Sequence, residues 1–438
     1  MYRFLNFKGF ADATLDLRTP VTILIGRNGA GKSNAIEALR VLSAFLQRYK
    51  FVEINNERRT ETPIVRGGLE AAVRQGQSSF ALEYLEPNSA DQVCYRLSFE
   101  HLPTAGLATP AKRHVVEELR EARGPLFRTS RAKDSWFIEA AVLDHSGEAF
   151  PTAWAGMGLA EPDTASLPLL WGEGPEHTLP AVWAAANRVK AGAKDIALAG
   201  PDVRRMREAA AKGDTQLAED MHNVAAILDA LKNGPPASQQ VFASIVELIR
   251  ALPEEDVMEL QLIEIKEINK VMFALRMAGG LISTEVLSHG TLMTLGLAAA
   301  AEACLPNSVL IIEDLDAGIH PARVQALYEH LWKVAERRQL RILVTTHNTA
   351  LLDRLTLEQR KGVVVCHWDA NEKASKLTPL DELRDYVRVV TSGSLGEAAR
   401  DGVIDAAAQS MTPEQTAHEV ARHLAWFTEF ERDQEAAK

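Results

Sequence analysis

The sequence has few cysteines and lacks any long uninterrupted apolar run. Its 438 residues include three cysteines, and the spacings of Cys94, Cys304 and Cys366 fit neither a metal site nor a disulfide framework. The longest apolar stretch, from Leu292 onwards, is interrupted by Glu302 and is too short to span a bilayer. The first residues lack the apolar core and small-residue cleavage site of a signal peptide. We therefore expect a cytoplasmic protein with no membrane partner.

The sequence also has fewer basic residues than acidic residues. There are 48 Lys and Arg residues against 59 Asp and Glu residues, and the formal net charge is -11. This balance argues against a protein that binds nucleic acid over most of its surface, although a local basic patch stays open. Hydrophobic residues make up 46% and charged residues 24%, which is ordinary globular usage and excludes disordered and fibrous classes. The length allows two or three structural units.

Strand and helix patterns alternate at both ends of the chain. The apolar run Val21–Ile25 predicts a strand, and the apolar spacing of residues 34–46 predicts a helix. Further strands are predicted at residues 79–84, 93–99, 258–264, 271–278, 308–312, 341–345 and 362–366, and further helices at residues 216–231, 239–252, 291–304 and 321–338. Alternating strands and helices predict an α/β protein with a largely parallel sheet and helices on its faces.

The middle of the chain does not share this alternation. Residues 101–214 contain scattered Pro and Gly and show weak periodicity apart from predicted helices at residues 115–123 and 201–212. Four of the seven tryptophans fall in this segment, where they more often form a small core than a base-stacking platform. We interpret residues 1–100 and 215–438 as two lobes of one fold, and residues 101–214 as an insertion and a candidate partner-binding region.

Residues 26–33 match the phosphate-loop pattern G-x-x-x-x-G-K-[ST] in full, between a predicted strand and a predicted helix. The glycines let backbone N–H groups point at phosphate oxygens, with help from the helix N-terminus. The Lys32 charge suits the β- and γ-phosphates, and the Ser33 hydroxyl can ligate Mg²⁺. The predicted nucleotide-binding residues of this loop are Arg27, Asn28, Gly29, Ala30, Gly31, Lys32, Ser33 and Asn34. The sequence therefore predicts a nucleoside triphosphate site.

Three later segments fit the same chemistry. Glu313 and Asp314 end a buried-type strand, where one carboxylate can hold Mg²⁺ and the next can orient the attacking water. Ser288 and Gly290 open the apolar helix and form an anion site, and His347 ends another strand and suits a γ-phosphate contact. Taken singly, these residues also have ordinary structural explanations. Glu313 and Asp314 are then a solvated acidic pair, Ser288 is a helix N-cap, and His347 is a polar residue whose hydrogen bonds are made within the fold. Their order after the phosphate loop favours an NTPase site.

With these motifs the chain resembles ABC-type ATPases of the branch that includes chromosome-maintenance heads, recombination-repair ATPases and overcoming-lysogenisation-defect nucleases. More narrowly, it is similar to stand-alone AAA-type ATPases of bacterial antiphage systems such as PARIS and Septu. The resemblance covers residues 1–46 and about 220–399 and is carried by residues 4–10, 26–33, 287–291, 311–321, 345–348 and 394–397. It implies an ABC-type P-loop NTPase fold with a mostly parallel sheet, antiparallel N-terminal strands and a partly helical insertion.

The resemblance also implies cofactors and an assembly. ATP and Mg²⁺ are the implied cofactors, with Ser33 and Glu313 as metal ligands. In that family, the residues matched by Ser288 and Gly290 meet the γ-phosphate bound to the opposite subunit, so that a head-to-tail dimer encloses two nucleotides. A higher oligomer stays open.

Catalytic roles carry over in the same way. Asp314 takes the position of the catalytic acid, His347 that of the switch histidine, and Lys32 that of the catalytic lysine. Asp316 lies on the loop that usually crosses the dimer interface.

The acidic pair departs from the family pattern. The family commonly has Asp then Glu followed by Pro, whereas this chain has Glu313, Asp314 and then Leu. Asp314 is one methylene shorter than Glu, and a misplacement of about 1 Å can cost on the order of 100-fold in rate. We therefore predict slow turnover. The family's γ-phosphate lever glutamine has no clear counterpart, and Gln75, Gln77 and Arg66 are the candidates.

Two functions from different classes follow. The first is a Mg²⁺-dependent ATPase that dimerises around ATP and acts as a sensor or regulator of a separate nuclease or toxin effector in antiphage defence. The alternative is a DNA repair or chromosome ATPase that acts directly on DNA. The chain after residue 366 is too short for the nuclease domain of overcoming-lysogenisation-defect proteins, so we expect the effector on another protein. A transporter subunit is disfavoured by the opening at residues 4–10, by the large insertion and by the signature motif at residues 287–291. This motif reads Leu-Ser-His-Gly-Thr in place of the transporter-type Leu-Ser-Gly-Gly-Gln.

A basic stretch is the candidate contact for nucleic acid. Residues 112–133 contain seven Lys and Arg against three Glu. Such an excess can bind DNA, RNA or an acidic protein, and it is also typical of an ordinary solvated surface.

Overall fold

The fold is taken from a computed structural model of the whole chain. The residues that the structure describes are 1–56, 63–87, 92–102, 112–122, 124–132, 135–143, 149–159, 165–167, 180–252, 256–384, 386 and 394–409. Arg123 and Lys133 of the basic stretch and Trp171 of the middle segment lie outside these ranges. None of the helices in the described ranges combines the length and the apolar character needed to cross a membrane.

Eighteen strands are described, and fourteen of them form one sheet. In chain order the strands are β1 Tyr2–Phe7, β2 Phe10–Leu15, β3 Val21–Ile25, β4 Ser79–Leu85, β5 Cys94–Leu102, β6 Lys112–Glu121, β7 Gly124–Ala132, β8 Ser135–Leu143, β9 Ala149–Leu159, β10 Ile196–Ala199, β11 Ala210–Ala211, β12 Val257–Ile265, β13 Lys270–Met277, β14 Gly280–Ser283, β15 Val309–Ile312, β16 Arg341–Thr345, β17 Val363–Asp369 and β18 Ala374–Pro379. The large sheet has the order β10-β15-β16-β3-β17-β18-β2-β1-β4-β5-β6-β7-β8-β9, and β11, β13, β12 and β14 form a second, smaller sheet.

Thirteen α-helices are described between the strands. They are α1 Lys32–Leu46, α2 Phe51–Ile54, α3 Gly68–Ala72, α4 Pro180–Val189, α5 Val203–Met206, α6 Val224–Asn233, α7 Pro236–Arg250, α8 His289–Ala303, α9 Pro321–Arg338, α10 Thr349–Asp353, α11 Leu357–Arg360, α12 Leu395–Arg400 and α13 Val403–Ala408. A π-helical turn, Lys190–Lys194, continues α4.

The parallel part of the large sheet is the centre of the molecule. Strands β10, β15, β16, β3 and β17 pair in parallel, and every residue of β3 and β15 is buried. Strands that are covered on both faces read as continuous apolar runs, which is why these elements were predictable from sequence. Two hydrophobic clusters cover opposite faces of the sheet, one built around α8 and α9 and the other around α1 and the N-terminal strands.

The antiparallel N-terminal strands continue the same sheet. Strand β1 pairs antiparallel with both β2 and β4, and β4 pairs antiparallel with β5. The α/β class, the parallel centre and the antiparallel N-terminal strands of the predicted fold are therefore confirmed.

The predicted helices of the middle segment are largely wrong. Residues 115–121 of the first of these fall in strand β6, which pairs antiparallel with β5, and residue 123 lies outside the described residues. Strands β6 to β9 form successive antiparallel pairs. Buried and less buried residues alternate along β6, and pairing with β5 selects this period-two pattern over a helix. Of residues 201–212, four form helix α5. The helix predicted from residue 216 begins at residue 224.

Strand β10 shows that the middle segment is not wholly separate from the main body. It lies inside residues 101–214, and it pairs in parallel with β15 at the edge of the large sheet. Helix α4 and its π-helical turn lead into it, and the turn packs against α1. Residues 196–199 thus belong to the central sheet, and the segment that follows them leads directly into α5.

A buried carboxylate anchors the strands that extend the sheet. Glu117 on β6 is 1% exposed and accepts from the Tyr95 hydroxyl at 2.7 Å and from the backbone N–H groups of Ser166 at 2.5 Å and Leu167 at 3.1 Å. Burial raises the pKa of the Glu117 carboxyl, although these hydrogen bonds oppose the shift. Three buried donors therefore depend on one side chain.

We expect Glu117→Ala to lower the free energy of unfolding by about 3 kcal/mol, since each orphaned buried donor costs about 1–3 kcal/mol. A raised carboxyl pKa gives stabilisation that is complete below the ordinary value of 4.5 and is lost as pH rises through the folded-state pKa. The loss on substitution should therefore be larger in mild acid than at neutral pH. Urea unfolding at both pH values measures it, with Glu118→Ala as control, and equal losses at both would contradict the assignment.

Candidate nucleotide-binding site

The phosphate loop joins β3 to α1 and has a backbone that requires glycine. Gly26 and Gly31 have positive φ angles of 144° and 123°. A Cβ at Gly26 would clash with the carbonyl oxygen of Cys366 on β17, and one at Gly31 would lie 3.0 Å from the Ser375 hydroxyl. The loop therefore lies directly against β17 and β18, and helix α1 begins at its end after Gly31, which has no side chain to cap it. The first N–H groups of a helix have no partner within the helix and suit an anion.

Lys32 extends back along the loop. It is 8% exposed, and its ammonium donates to the carbonyl oxygens of Gly26 at 2.7 Å and Arg27 at 3.3 Å. Burial lowers the pKa of Lys32, while Cys366 and Asp314 oppose that shift. A partly desolvated cation in this position interacts more strongly with phosphate oxygens than one in water.

One cavity of about 240 Å³ collects most of the predicted site. Its lining residues are Asn28, Gly29, Gly31, Lys32, Ser33, Asn34, Arg66, Glu313, Asp314, Thr345 and His347. The acidic pair and the histidine, which follow the phosphate loop only much later in the sequence, thus meet it at the carboxyl ends of β3, β15 and β16. This edge of a parallel sheet is where ligands bind in open α/β folds.

Backbone contacts fix the acidic turn against the end of β16. Asp314 has a positive φ of 49°, its N–H donates to the Thr345 hydroxyl at 2.8 Å, and that hydroxyl lies 3.3 Å from Asp314 Oδ1. The next N–H, of Leu315, donates to the carbonyl oxygen of Thr345 at 2.9 Å. Sequence analysis missed Thr345, because a threonine at a strand end carries no signal for this role.

Asp316 has a role within its own chain. Its Oδ1 accepts from the Thr346 hydroxyl at 2.7 Å and from the backbone N–H of His347 at 3.2 Å. These bonds hold the histidine turn beside the acidic turn. The sequence placed Asp316 on a loop that crosses a dimer interface, and the structure adds this positioning contact with the exposed His347.

Arg66 is the lever candidate that reaches the cavity. Its Nε donates to Glu37 Oε1 on α1 at 2.5 Å, and Glu37 also pairs with Lys8 from the N-terminal strands. Gln75 and Gln77, the other candidates, are exposed and are not among the cavity-lining residues. The buried Glu37 therefore orients a cation towards the phosphate loop, a contact that only the tertiary structure reveals.

Ser288 and Gly290 lie outside this cavity. The Ser288 hydroxyl accepts from the Thr291 N–H at 3.1 Å and caps α8, and its side chain is exposed. Gly290 packs so closely on the loop after the acidic turn that a Cβ there would lie 3.0 Å from the carbonyl oxygen of Gly318. The structure thus separates the signature residues from the phosphate loop of the same chain.

Arg27 and Ala30 are not among the residues that line the first cavity. They line a second cavity of about 290 Å³ together with His367, Trp368, Asp405 and Gln409. Arg27 is exposed, and its Nε pairs with Asp405 of α13 at 2.8 Å. The two residues were predicted to bind nucleotide, and this stays a prediction, because the second cavity adjoins the first through the shared lining residues Asn28 and Gly29.

The donor set of the cavity fits Mg²⁺ better than a transition metal. Among the described residues, no group of three or more His, Cys, Asp and Glu side chains is placed to hold a metal ion. Ser33 and Glu313 offer a hydroxyl and a carboxylate in the same cavity. Mg²⁺ prefers oxygen ligands and often binds through one or two protein groups together with substrate phosphates.

Two parts of the chain match models of AAA-type ATPase domains. Residues 171–353 match "AAA domain, putative AbiEii toxin, Type IV TA system", and residues 4–71 match "AAA ATPase domain". The first match begins inside residues 101–214 and includes β10 and α5. A curated relative, the DNA replication and repair protein RecF of Nocardioides sp. (strain ATCC BAA-499 / JS614), is 31% identical over 128 residues. This match covers 27% of the chain and 28% of that relative, so the chain aligns with about a quarter of it.

Solved head domains of SMC proteins are also similar. The SMC head domain from Thermotoga maritima aligns with a TM-score of 0.40 and 13% identity, over 86% of this chain and 97% of that one. An SMC head bound to the C-winged helix domain of ScpA aligns with a TM-score of 0.42 and 13% identity, over 86% and 96% of the two chains.

Proposed function

We propose that this protein is a Mg²⁺-dependent ATPase that dimerises head to tail around ATP and regulates a separate effector protein. One observation carries the proposal: the cavity unites the phosphate loop, the acidic pair and His347, while Ser288 and Gly290 lie outside it. A site divided in this way is complete when a second copy supplies the signature residues. The AAA-type matches support the ATPase part.

Each residue of the cavity has a separate role in the proposed ATP hydrolysis. The N–H groups of the phosphate loop and the Lys32 ammonium bind and orient the β- and γ-phosphates. Asp314 positions a water molecule for attack and accepts its proton, and His347 contacts the γ-phosphate. Arg66, held by Glu37, adds positive charge at the side of the loop. Ser33 and Glu313 would hold Mg²⁺, which would neutralise negative charge on the nucleotide's phosphates.

The partner copy completes the site. Ser288 and the N-terminus of α8 present a hydroxyl and a positive helix end that suit a γ-phosphate on the opposite subunit. Slow hydrolysis would let the ATP-bound dimer persist as a signal to an effector. The proposed effector is a nuclease or toxin in antiphage defence. The matched family's description, which names a putative toxin of a type IV toxin–antitoxin system, associates this type of domain with toxin systems.

A second candidate function is DNA repair or chromosome maintenance. The specific observation in its favour is the 31% identity to RecF, a DNA replication and repair protein, over 128 residues. In this alternative the ATP-bound dimer contacts DNA directly, and the basic stretch 112–133 is its first candidate surface. Within that stretch Arg113 pairs with Glu70 at 2.9 Å, so part of its charge is neutralised inside the chain.

Mass and turnover measured together test the proposal. We expect the molar mass from light scattering to double when ATP and Mg²⁺ replace ADP, and turnover per chain to rise with protein concentration, because the active site needs two copies. A mass that stays that of one chain, with turnover independent of concentration, would contradict the dimer.

The same assay with double-stranded DNA separates the two candidates. Turnover that is slow and indifferent to DNA supports an ATP-loaded regulator of another protein. Strong stimulation by DNA supports the repair function instead.

A further inference from the structure

The backbone of the loop before the signature helix α8 accepts hydrogen bonds from a side chain that is remote in sequence. Arg207, which follows α5, donates from Nη1 to the carbonyl oxygens of Thr284, at 2.6 Å, and Glu285. From Nη2 it donates to the carbonyl oxygen of Leu287 at 3.0 Å, and the buried Thr284 hydroxyl donates back to the Arg207 carbonyl at 3.1 Å. One guanidinium thus binds three of the four carbonyl oxygens of residues 284–287, the segment that leads into Ser288. The planar guanidinium holds its N–H donors in a fixed arrangement that suits such a turn.

The position of Arg207 is set by the main sheet. Helix α5 starts just after β10, whose continuation is fixed by hydrogen bonds from the N–H of Gly200 to the Glu219 carbonyl at 2.9 Å and from the N–H of Asp202 to the Asp220 carbonyl at 3.0 Å. Arg40, on the helix that follows the phosphate loop, pairs with the Glu219 carboxylate at 3.1 Å. The segment that leads to Arg207 is therefore linked by hydrogen bonds to residues 219 and 220, and through Glu219 to α1.

The same segment also supports the body of the signature helix. Met206, next to Arg207, is fully buried against Gly296 of α8, where a Cβ would lie 2.7 Å from its terminal methyl carbon and 2.8 Å from the sulfur of Met221. One short segment thus holds both the loop that leads to Ser288 and the helix that Ser288 caps.

We propose that Arg207 is the positioning residue of the signature motif. It fixes the turn so that Ser288 and Gly290 reach the nucleotide bound by a second copy. This inference rests on the proposed function, in which the signature acts across a dimer. Because Arg207 lies on the signature side, its loss damages the site on the opposite subunit and leaves nucleotide binding in its own cavity intact.

Mixing of two inactive variants tests this directly. We expect Arg207→Ala alone to lower turnover by about 10- to 100-fold, since a misplacement near 1 Å has effects of this size. Arg207→Lys, which keeps the charge without the fork, is expected to lose less and guards against a folding defect. Binding of a fluorescent ATP analogue to single chains should stay unchanged for both. Arg204→Ala, which removes an exposed arginine of α5 shortly before Arg207, is the matched control with wild-type turnover expected.

An equal mixture of Arg207→Ala and Lys32→Ala chains should regain turnover. Half the dimers then combine the two variants, and each has one site with an intact phosphate loop facing an intact signature, so that about a quarter of wild-type turnover returns. Ser288→Arg mixed with Lys32→Ala is the reference pair. If the reference pair recovers and the Arg207 pair does not, the assignment of Arg207 is overturned. If neither pair recovers, the divided site of the proposed function is overturned.

Discussion

Replacing Lys32 by alanine is expected to lower ATP turnover by about 100- to 1,000-fold, the cost of removing one preorganised donor from a transition-state site. The ammonium lies almost wholly buried along the phosphate loop and lines the cavity with the acidic pair. Its low-dielectric surroundings strengthen its attraction for phosphate oxygens, and alanine leaves the loop backbone unchanged because Lys32 has ordinary helical geometry. Steady-state phosphate release measures the loss of turnover, and nucleotide-binding titrations measure the accompanying loss of ATP affinity.

The control for this variant is Lys361→Ala, which removes an exposed lysine from the same chain. It should leave turnover unchanged. Lys32→Ala with more than a tenth of wild-type turnover would show that the phosphates bind elsewhere. Activity would then have to be sought outside the cavity.

Asp314→Asn is expected to lower turnover by about 100- to 10,000-fold while ATP affinity is retained, because a positioned general base contributes on this scale. The amide oxygen of asparagine can keep the contact with the Thr345 hydroxyl, and asparagine tolerates the left-handed backbone of this residue. The variant should therefore fold normally and hold ATP without hydrolysing it. In the proposed dimer it would trap the ATP-bound state, which light scattering detects as a persistent doubled mass.

Glu313→Gln is the matched comparison for the two acids. It should raise the Mg²⁺ concentration needed for half-maximal turnover, because its carboxylate is assigned to the metal, whereas Asp314→Asn should not. If the two variants exchange these effects, the assignment of the roles is reversed.

The order of the acidic pair, with aspartate second, is expected to affect the rate of hydrolysis and also suits the backbone conformation at that position. Asp314 occupies the left-handed region, where aspartate is tolerated better than longer side chains. The shorter side chain is expected to slow hydrolysis, so Asp314→Glu should be faster than wild type if reach is the limit. A variant that is no faster would count against that explanation.

Local sequence determined the elements around the phosphate loop. The predicted bounds of α9 and β16 coincide with the observed Pro321–Arg338 and Arg341–Thr345, because a proline at the first turn and a left-handed Gln339 mark the helix ends. Continuous apolar runs likewise predicted β3 and β15. These signals arise from neighbours in sequence, so no tertiary information was needed to identify them.

Prediction from local sequence failed where pairing with another strand decides the conformation. Residues 112–121 carry patterns compatible with helix and strand, and hydrogen bonding to β5 makes them a strand. The four residues of β10 are too short and too rich in alanine to be identified, although they complete the parallel sheet beside β15. In both places the conformation depends on a partner strand that is remote in sequence.

The sequence by itself determined that this chain has a phosphate loop, an acidic strand end, a histidine strand end and a signature helix, because each is a local motif. Only the tertiary structure decided which of these share a cavity, and it brought Arg66 to that cavity and left Ser288 and Gly290 outside it. It also joined Arg207 to the carbonyls before Ser288. Such contacts form between surfaces brought together by folding, and a side chain carries no local mark of a partner that lies nearly eighty residues away.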